Sequence, residues 1–290
     1  MTKKQSPHRD IDPQQFGFQK RKSVNHAIMN FIDKVLGAFS EKSFLVACYL
    51  DFKKAFDCVD HKILIHKLSK YGIRGIALNL IESYLTNREQ YVQLNNVNST
   101  KQQVKHGVPQ GSVLGPLLFL IYINDIKFIS PTLGKILFAD DTALYLVGNN
   151  ITQIGNTVNE NLNILYDWLC FNKLALNTDK TKFSVYTTLQ NYEIPSIKIN
   201  NVEINHVESH EYLGFILDNK LDYKNYVKKL PKKLASVNGL IYSIRNYMSP
   251  KILKNVYYSL AYSNILQYIL IKWERCLPAR STQSRFYKTE

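Results

Sequence analysis

The chain has 290 residues, 45% hydrophobic and 12% aromatic, enough to bury a sizeable core and too apolar for a disordered chain. Its formal net charge of +14 points to a polyanionic partner, nucleic acid first and an anionic membrane surface second. No apolar run is long enough to span a bilayer, no apolar core follows the polar start as in a secretory signal, and the four scattered cysteines form no C-x-x-C pair, so membrane insertion, secretion, zinc and disulfides are not expected and an intracellular setting is.

Residues 1–14 are polar, with Pro7 and Pro13, and read as a loose lead-in. Gln15-Phe-Gly-Phe18 and the basic Lys20-Arg-Lys22 follow, and Ser23 is placed to cap a helix with Val24, Ile28, Ile32 and Val35 on one face. Phe44 to Leu50 is a continuous apolar run ending in Asp51, the pattern of a buried central strand. Asp60 caps a helix through Ile63, Leu64, Leu68 and Tyr71, and a second runs through Ile76, Leu80, Ile81 and Tyr84. Tyr91 to Leu94 and Gln102 to Lys105 read as strands around the polar loop Asn95 to Thr100. Gly107-Val-Pro-Gln-Gly111 is a turn, after which Ser112 caps an apolar helix to about Ile126.

The apolar runs Ile136 to Phe138 and Ala143 to Val147 form a hairpin with Asp140 and Asp141 at its tip. From Ile151 a helical stripe runs through Ile154, Val158, Leu162, Leu165, Trp168 and Leu169, and packs as core. Phe183 to Thr187 is a strand, Ile197 to Ile199 and Val202 to Ile204 pair across Asn200-Asn201, and Glu211 to Leu217 reads as one further strand. Tyr223 to Trp273 contains no Asp or Glu, and Ser249-Pro250 starts its last long helix. The composition shift sets a boundary near residue 220, with helices over 221–276 and a polar tail over 277–290.

Adjacent carboxylates beside apolar strands repel one another and resist desolvation unless a cation or donors compensate them. Alone, Asp140-Asp141 reads equally as an Asp-rich turn or a metal site. Asp51, at the end of a buried strand, can face the Asp140 tip from a neighbouring strand about 5 Å away. Such a carboxylate cluster suits two Mg²⁺ ions, which activate an attacking oxygen and stabilise a leaving one in phosphoryl transfer. The seven histidines show no metal-ligand spacing.

Leu50-Asp-Phe-Lys-Lys-Ala-Phe-Asp57 resembles the A motif of reverse transcriptases, and Gly107-Val-Pro-Gln-Gly-Ser-Val-Leu-Gly-Pro116 their B motif. Phe138-Ala-Asp-Asp141 resembles the C motif, Leu176-Asn-Thr-Asp-Lys-Thr-Lys182 the D motif, Tyr212-Leu-Gly-Phe215 the primer grip and Gln15-Phe-Gly-Phe18 the last fingers motif. Order and spacing are similar to non-LTR, LINE-type retrotransposon enzymes of the jockey-like group, over roughly residues 15–275. The resemblance implies an α+β right-hand polymerase with a ferredoxin-like palm, partial fingers within 15–220 and an α-helical thumb.

It also implies roles. Asp51 and Asp140 would be catalytic metal ligands, with Asp141 an accessory carboxylate. Phe52 would offer its backbone to the triphosphate, and Phe56 would be the steric gate against a 2′-hydroxyl. Gln110 and Gly111 would lie against the template base and nucleotide, with Lys180 beside the leaving pyrophosphate. Tyr212, Leu213 and Gly214 would grip the primer, and Lys228, Lys229, Lys232 and Lys233 would track the duplex phosphates. Implied partners are an RNA template, a DNA primer and dNTPs, with two Mg²⁺ ions as cofactor, a nuclear location, no membrane and no evident protein partner. Nothing upstream of Gln15 resembles the family's additional fingers segment, and neither an endonuclease nor an RNase H pattern is present, which implies a truncated copy. Two alternatives stand beside the polymerase: an inactive nucleic-acid-binding remnant, and a related maturase-type or RNA-templated RNA polymerase.

Overall fold

The computed structural model describes residues 10–222, 224–262, 264, 265 and 269. The 277–290 tail and the first nine residues of the lead-in lie outside them.

Helix α1 (Val24–Ser40) begins where Ser23 accepts the His26 N–H, and it buries Ala27, Ile28, Phe31, Ile32, Val35 and Ala38. Strand β1 (Phe44–Leu50) is buried along its whole length. Helix α2 (His61–Lys70) starts at Asp60, whose carboxylate accepts the Ile63 N–H. Helix α3 (Ile76–Leu85) follows; of its expected apolar stripe, Ile76 and Leu80 are 88% and 70% exposed.

Strands β2 (Arg88–Gln90), β3 (Gln93–Leu94), β4 (Val97–Asn98) and β5 (Gln102–Val104) nest as two ladders, β2 with β5 and β3 with β4. Of the expected polar loop Asn95 to Thr100, only Asn95 and Asn96, both with left-handed backbone, form the turn, and Val97–Asn98 is strand β4. Helix α4 (Leu114–Ile123) is buried almost all round, and Ser112 Oγ accepts the Gly115 N–H at 2.9 Å at its start.

Strands β6 (Gly134–Phe138) and β7 (Asp141–Gly148) form the acidic hairpin, followed by α5 (Ile151–Phe171) and β8 (Lys182–Tyr186). Strands β9 (Lys198–Ile199) and β10 (Val202–Glu203) pair across Asn200-Asn201, both left-handed, as the dipeptide predicts. After β11 (Asn205–His206) the predicted single strand 211–217 is two: β12 (Ser209–Tyr212) and β13 (Phe215–Asp218) fold back as a hairpin. The break lies at Leu213 and Gly214, with φ of 51° and 80°, a conformation that ends an extended run. Helices α6 (Lys224–Ile244) and α7 (Pro250–Val256) follow, with Ser249 extended ahead of Pro250, and a π-helical stretch (Tyr257–Tyr262) continues from α7; most of the remainder of the expected 221–276 helices lies outside the described residues.

The main sheet runs β11-β8-β1-β7-β6, antiparallel apart from the β11–β8 pair. Strands β1, β6, β7 and β8 with their intervening helices follow a β-α-β-β-α-β order, the split β-α-β arrangement. Alternation along β1 divides the core in two. Phe44, Val46, Cys48 and Leu50 pack with α2, α4 and α5, whereas Leu45, Ala47 and Tyr49 pack with α1 and with Tyr186, Tyr212 and Phe215. Each large apolar side chain so buried contributes roughly 1.5–3 kcal/mol. Among the described residues, no helix is long and apolar enough to cross a membrane.

Residues 10–14 are tied down, where their composition reads as a loose lead-in. The Asp12 N–H donates to Asn124 Oδ1 at 2.8 Å, and Asn124 Nδ2 and Lys127 Nζ both donate to the Asp10 carbonyl. The anchors lie over a hundred residues away, so local composition carries no trace of them.

Asp60 joins two distant elements, because its other oxygen accepts Lys173 Nζ at 2.6 Å. Burial raises its pKa, but the Lys173 hydrogen bond and charge with the Ile63 amide outweigh that and leave it below the ordinary carboxylate value. A depressed carboxylate stabilises the fold above its unfolded pKa and loses that contribution as pH falls through its folded pKa. Asp60→Ala should therefore cost about 1–2 kcal/mol near neutral pH through the lost cap. Asp60→Asn, which keeps an acceptor, should cost less, and its deficit should vanish on acidification below the carboxylate range, as read from urea unfolding at a series of pH values.

Candidate active site

Register decides what stands at the end of the sheet. Leu50 pairs with Thr142 on β7, and Tyr49 pairs with Lys182 on β8. Asp51 therefore leaves β1 between Asp141, the first residue of β7, and the approach to β8. Alternation gives Asp51 the face of Tyr49 and Asp141 that of Ala143, and both belong to the α1 side of the sheet. The backbone of this end is locked: the Asp51 N–H donates to Thr181 Oγ1 at 3.3 Å and its carbonyl accepts the Asn177 N–H at 2.7 Å. Phe52 is buried and bridges to Leu176, and the Lys53 N–H donates to the Ala175 carbonyl.

The acidic turn is two residues long. Phe138 pairs with Asp141, leaving Ala139 and Asp140 at the tip, so only Asp140 lies in the turn proper. Ala139 has φ of 56°, the left-handed conformation of a II′-type first position, where glycine is usual. Burial raises the Asp140 pKa, with a further rise from Asp51 that its own backbone N–H opposes. Asp141 is open to solvent, yet its carboxyl is pushed up to about 6, by desolvation from the surrounding protein first and then by Asp140 and Asp51. The group is short of positive charge, the condition under which a cation is bound favourably.

Beside it opens a cleft of about 300 Å³, lined by Asp51, Asp141, Lys180, Lys182, Tyr212 and Leu213 among others. Asp140 is not on its wall. Tyr212 is buried, its hydroxyl donating to the Ile136 carbonyl at 3.2 Å, and the left-handed Leu213-Gly214 turn projects from it. His210 and Glu211 also face the cleft and carry no role in the sequence reading. His210 lies against the Tyr49 ring with centroids 4.7 Å apart, and burial, then Lys182, lowers its pKa. It lies one residue ahead of the strand expected over 211–217, and the structure places it inside β12.

The A-like and B-like segments meet directly. The Val108 N–H donates to the Phe56 carbonyl at 2.9 Å, and a Cβ on Gly107 would stand 2.9 Å from Asp57 Cα. Close approach thus demands glycine at 107; Gly111 faces open space, and its φ of 78° is what suits glycine there. Gln110 is exposed and donates from Nε2 to Asp57 Oδ1 at 2.8 Å, a partner outside the predicted set. Phe56 is half-buried, stacked on Phe119 at 4.2 Å with Phe18 edge-on at 6.4 Å.

Lys228, Lys229, Lys232 and Lys233 are exposed along α6, away from the cleft wall. Among the described residues, no three His, Cys, Asp or Glu side chains form a ready-made ligand set for a metal ion.

Residues 1–217 match the family described as reverse transcriptase (RNA-dependent DNA polymerase). The RNA-directed DNA polymerase of the mobile element jockey from Drosophila melanogaster is 26% identical over 257 residues, covering 85% of this chain and 28% of that protein. The probable RNA-directed DNA polymerase of transposon BS, from the same fly, is 30% identical over 240 residues, covering 78% of this chain and 26% of that protein. The chain thus spans about a quarter of the length of these relatives. Among solved structures, telomerase from Candida tropicalis aligns with a TM-score of 0.49 at 11% identity, over 90% of this chain and 44% of that one. The family match runs through the Gly107–Gly111 loop and through β1, the acidic turn and the Tyr212–Phe215 turn beside the cleft, and the chain belongs to the reverse transcriptase (RNA-dependent DNA polymerase) family.

Proposed function

We propose that this chain is the polymerising part of a jockey-like, LINE-type reverse transcriptase, copying an RNA template into DNA. The observation that carries the reading is the register of β1 between β7 and β8, which brings Asp51 to the acidic turn over a cleft shared with Lys180 and the Tyr212-Leu213 turn. In this reading the sheet with α1, α4 and α5 is a ferredoxin-like palm, the 15–18 and 88–104 segments belong to the fingers, and α6 and α7 form the thumb. The primer 3′-hydroxyl attacks the α-phosphorus of a dNTP, a new P–O bond forms, and the bond to pyrophosphate breaks.

Mg²⁺ keeps much of its water and takes one or two protein carboxylates plus substrate phosphates. Acids short of positive charge at a cleft mouth fit that habit without a preformed cage, and Asp51, Asp140 and Asp141 would hold the ions. Two bound Mg²⁺ ions supply activation of the attacking oxygen and stabilisation of the leaving one. Lys180 on the cleft wall neutralises charge developing on pyrophosphate. Tyr212, Leu213 and Gly214 position the primer end, and Gln110 and Gly111 support the nascent base pair beside the Phe52 backbone. The Phe56 ring, stacked on Phe119, would exclude a 2′-hydroxyl by its bulk if the nucleotide sugar is seated against it. A second reading, a nucleic-acid-binding remnant without activity, draws on the exposed lysines along α6, which could hold a duplex without any chemistry.

Primer extension on an RNA template with dNTPs and Mg²⁺ separates the two. Extension should fall to background in Asp51→Asn and in Asp140→Asn with duplex binding retained; binding without extension by the unaltered chain sinks the polymerase reading. Phe56→Val should relax discrimination against rNTPs by about ten- to a hundredfold in kcat/KM ratios, and unchanged ratios would show that Phe56 is not the gate. Replacing Lys228, Lys229, Lys232 and Lys233 by alanine should lower the slope of log affinity against log salt by up to about 3–4 for duplex.

A further inference from the structure

Gln15 is 2% exposed and stands 124 residues from the acidic turn in sequence, yet touches it. Its Oε1 accepts two backbone N–H groups, that of Ala139 at 2.9 Å and that of Gly17 at 2.9 Å. Around this contact the segment lies along the free edge of β6. Gln15 bridges to Leu137 in parallel, the Phe16 N–H donates to the Leu137 carbonyl at 2.7 Å, and the Leu137 N–H donates to the Gln14 carbonyl at 3.0 Å. The approach is so close that a Cβ on Gly17 would stand 2.4 Å from Ala139 N. Gln15 is itself held, because its N–H donates to the Asp12 carbonyl at 2.9 Å and its carbonyl accepts Lys22 Nζ at 2.9 Å.

Left-handed backbone at a non-glycine residue is disfavoured and persists only where its surroundings determine it. Ala139 is 4% exposed, so without Gln15 its N–H would be a buried donor with nothing to pair with. The Ala139 conformation also sets the direction in which the next two residues, Asp140 and Asp141, leave the turn.

We propose that Gln15 is a positioning residue for the acidic turn: its side-chain carbonyl, by holding the Ala139 N–H, fixes the left-handed kink that aims Asp140 and Asp141 toward Asp51. The proposal rests on the polymerase reading for its consequence, metal binding, but not for its geometry, and the two are tested separately. Gln15→Met keeps the volume and removes the acceptor. In the full chain, hydrogen exchange over 137–141 should quicken at least tenfold in this variant, while exchange over 44–50 stays as in the parent. Mn²⁺, followed by its EPR signal as a probe for the acids, should bind about tenfold more weakly, and in primer extension kcat should fall more than KM for dNTP rises. Gln15→Glu, which keeps an oxygen in place, should restore protection over 137–141.

Unchanged exchange over 137–141 in Gln15→Met overturns the proposal, as does faster exchange with unaltered Mn²⁺ affinity. If the parent chain itself binds no Mn²⁺, the metal reading fails, and the exchange measurement alone decides whether Gln15 holds the turn. Should Gln15→Met not fold, Gln15→Asn, whose amide stops one methylene short of the turn, is read in the same way.

Discussion

The antiparallel register of β1 against β7 and β8 is the constraint on which this molecule depends. A shift of one residue would carry every side chain of β1 to the other face of the sheet, exchanging two cores that are both closed. Tyr49 would lose its hydroxyl contact to Tyr186 at 2.6 Å and its place beside Tyr212, and Asp51 would leave the cleft side. The acids are therefore brought together by the burial of seven residues that do no chemistry. No attraction between the acids is needed, and electrostatically there is none.

That separation of tasks shows in how the protein treats its carboxylates. Asp60 and Asp125 each have a lysine nitrogen within 2.8 Å, and both fix one helix against a distant element. Asp140 and Asp141 are instead raised by burial and by their acidic neighbours, the reverse of a stabilising arrangement. Stability resides in the paired acids and the two cores, and the sheet end carries the strain. Unequal exposure of the turn acids adds a distinction their adjacency hides: Asp141 reaches the cleft wall with Asp51, and Asp140 sits in the turn that Gln15 braces.

Much of this was legible in the residues because the signals are local. Ser23, Asp60, Asn200-Asn201 and Ser249-Pro250 each act on backbone within a turn of themselves, and each marks its element in the structure. The seven-residue apolar run of β1 declares a strand buried on both faces. What stayed hidden depends on partners far along the chain or on conformations a residue does not advertise. Leu213 gives no sign of left-handed backbone, so residues 211–217 read as one strand, and neither Glu211 at its start nor His210 just ahead of it is marked as facing a cleft. Asp10 and Asp12 look like solvated polar residues until Asn124 and Lys127 arrive beside them. Gln15 sat within a recognisable motif, but nothing nearby in sequence says that its carbonyl is meant for Ala139.

The 10–18 segment consequently has a larger part than its length suggests. Gln15 reaches the turn that carries two of the acids, and three residues later Phe18 stands edge-on to Phe56, whose other side stacks on Phe119 of α4. One short stretch thus touches both the acidic turn and the ring proposed to select the sugar. Its own position is set from the opposite direction, by Asn124 and Lys127 just past α4 and by Lys22 lying over the Phe16 ring. The acids, the Phe56 ring and α4 are in this way linked through side chains and backbone of a segment outside the sheet. A displacement of 10–18 would move the acids and the Phe56 ring together, so under the proposed function the orientation of the metal-binding acids and the selection of the nucleotide would share one mechanical support.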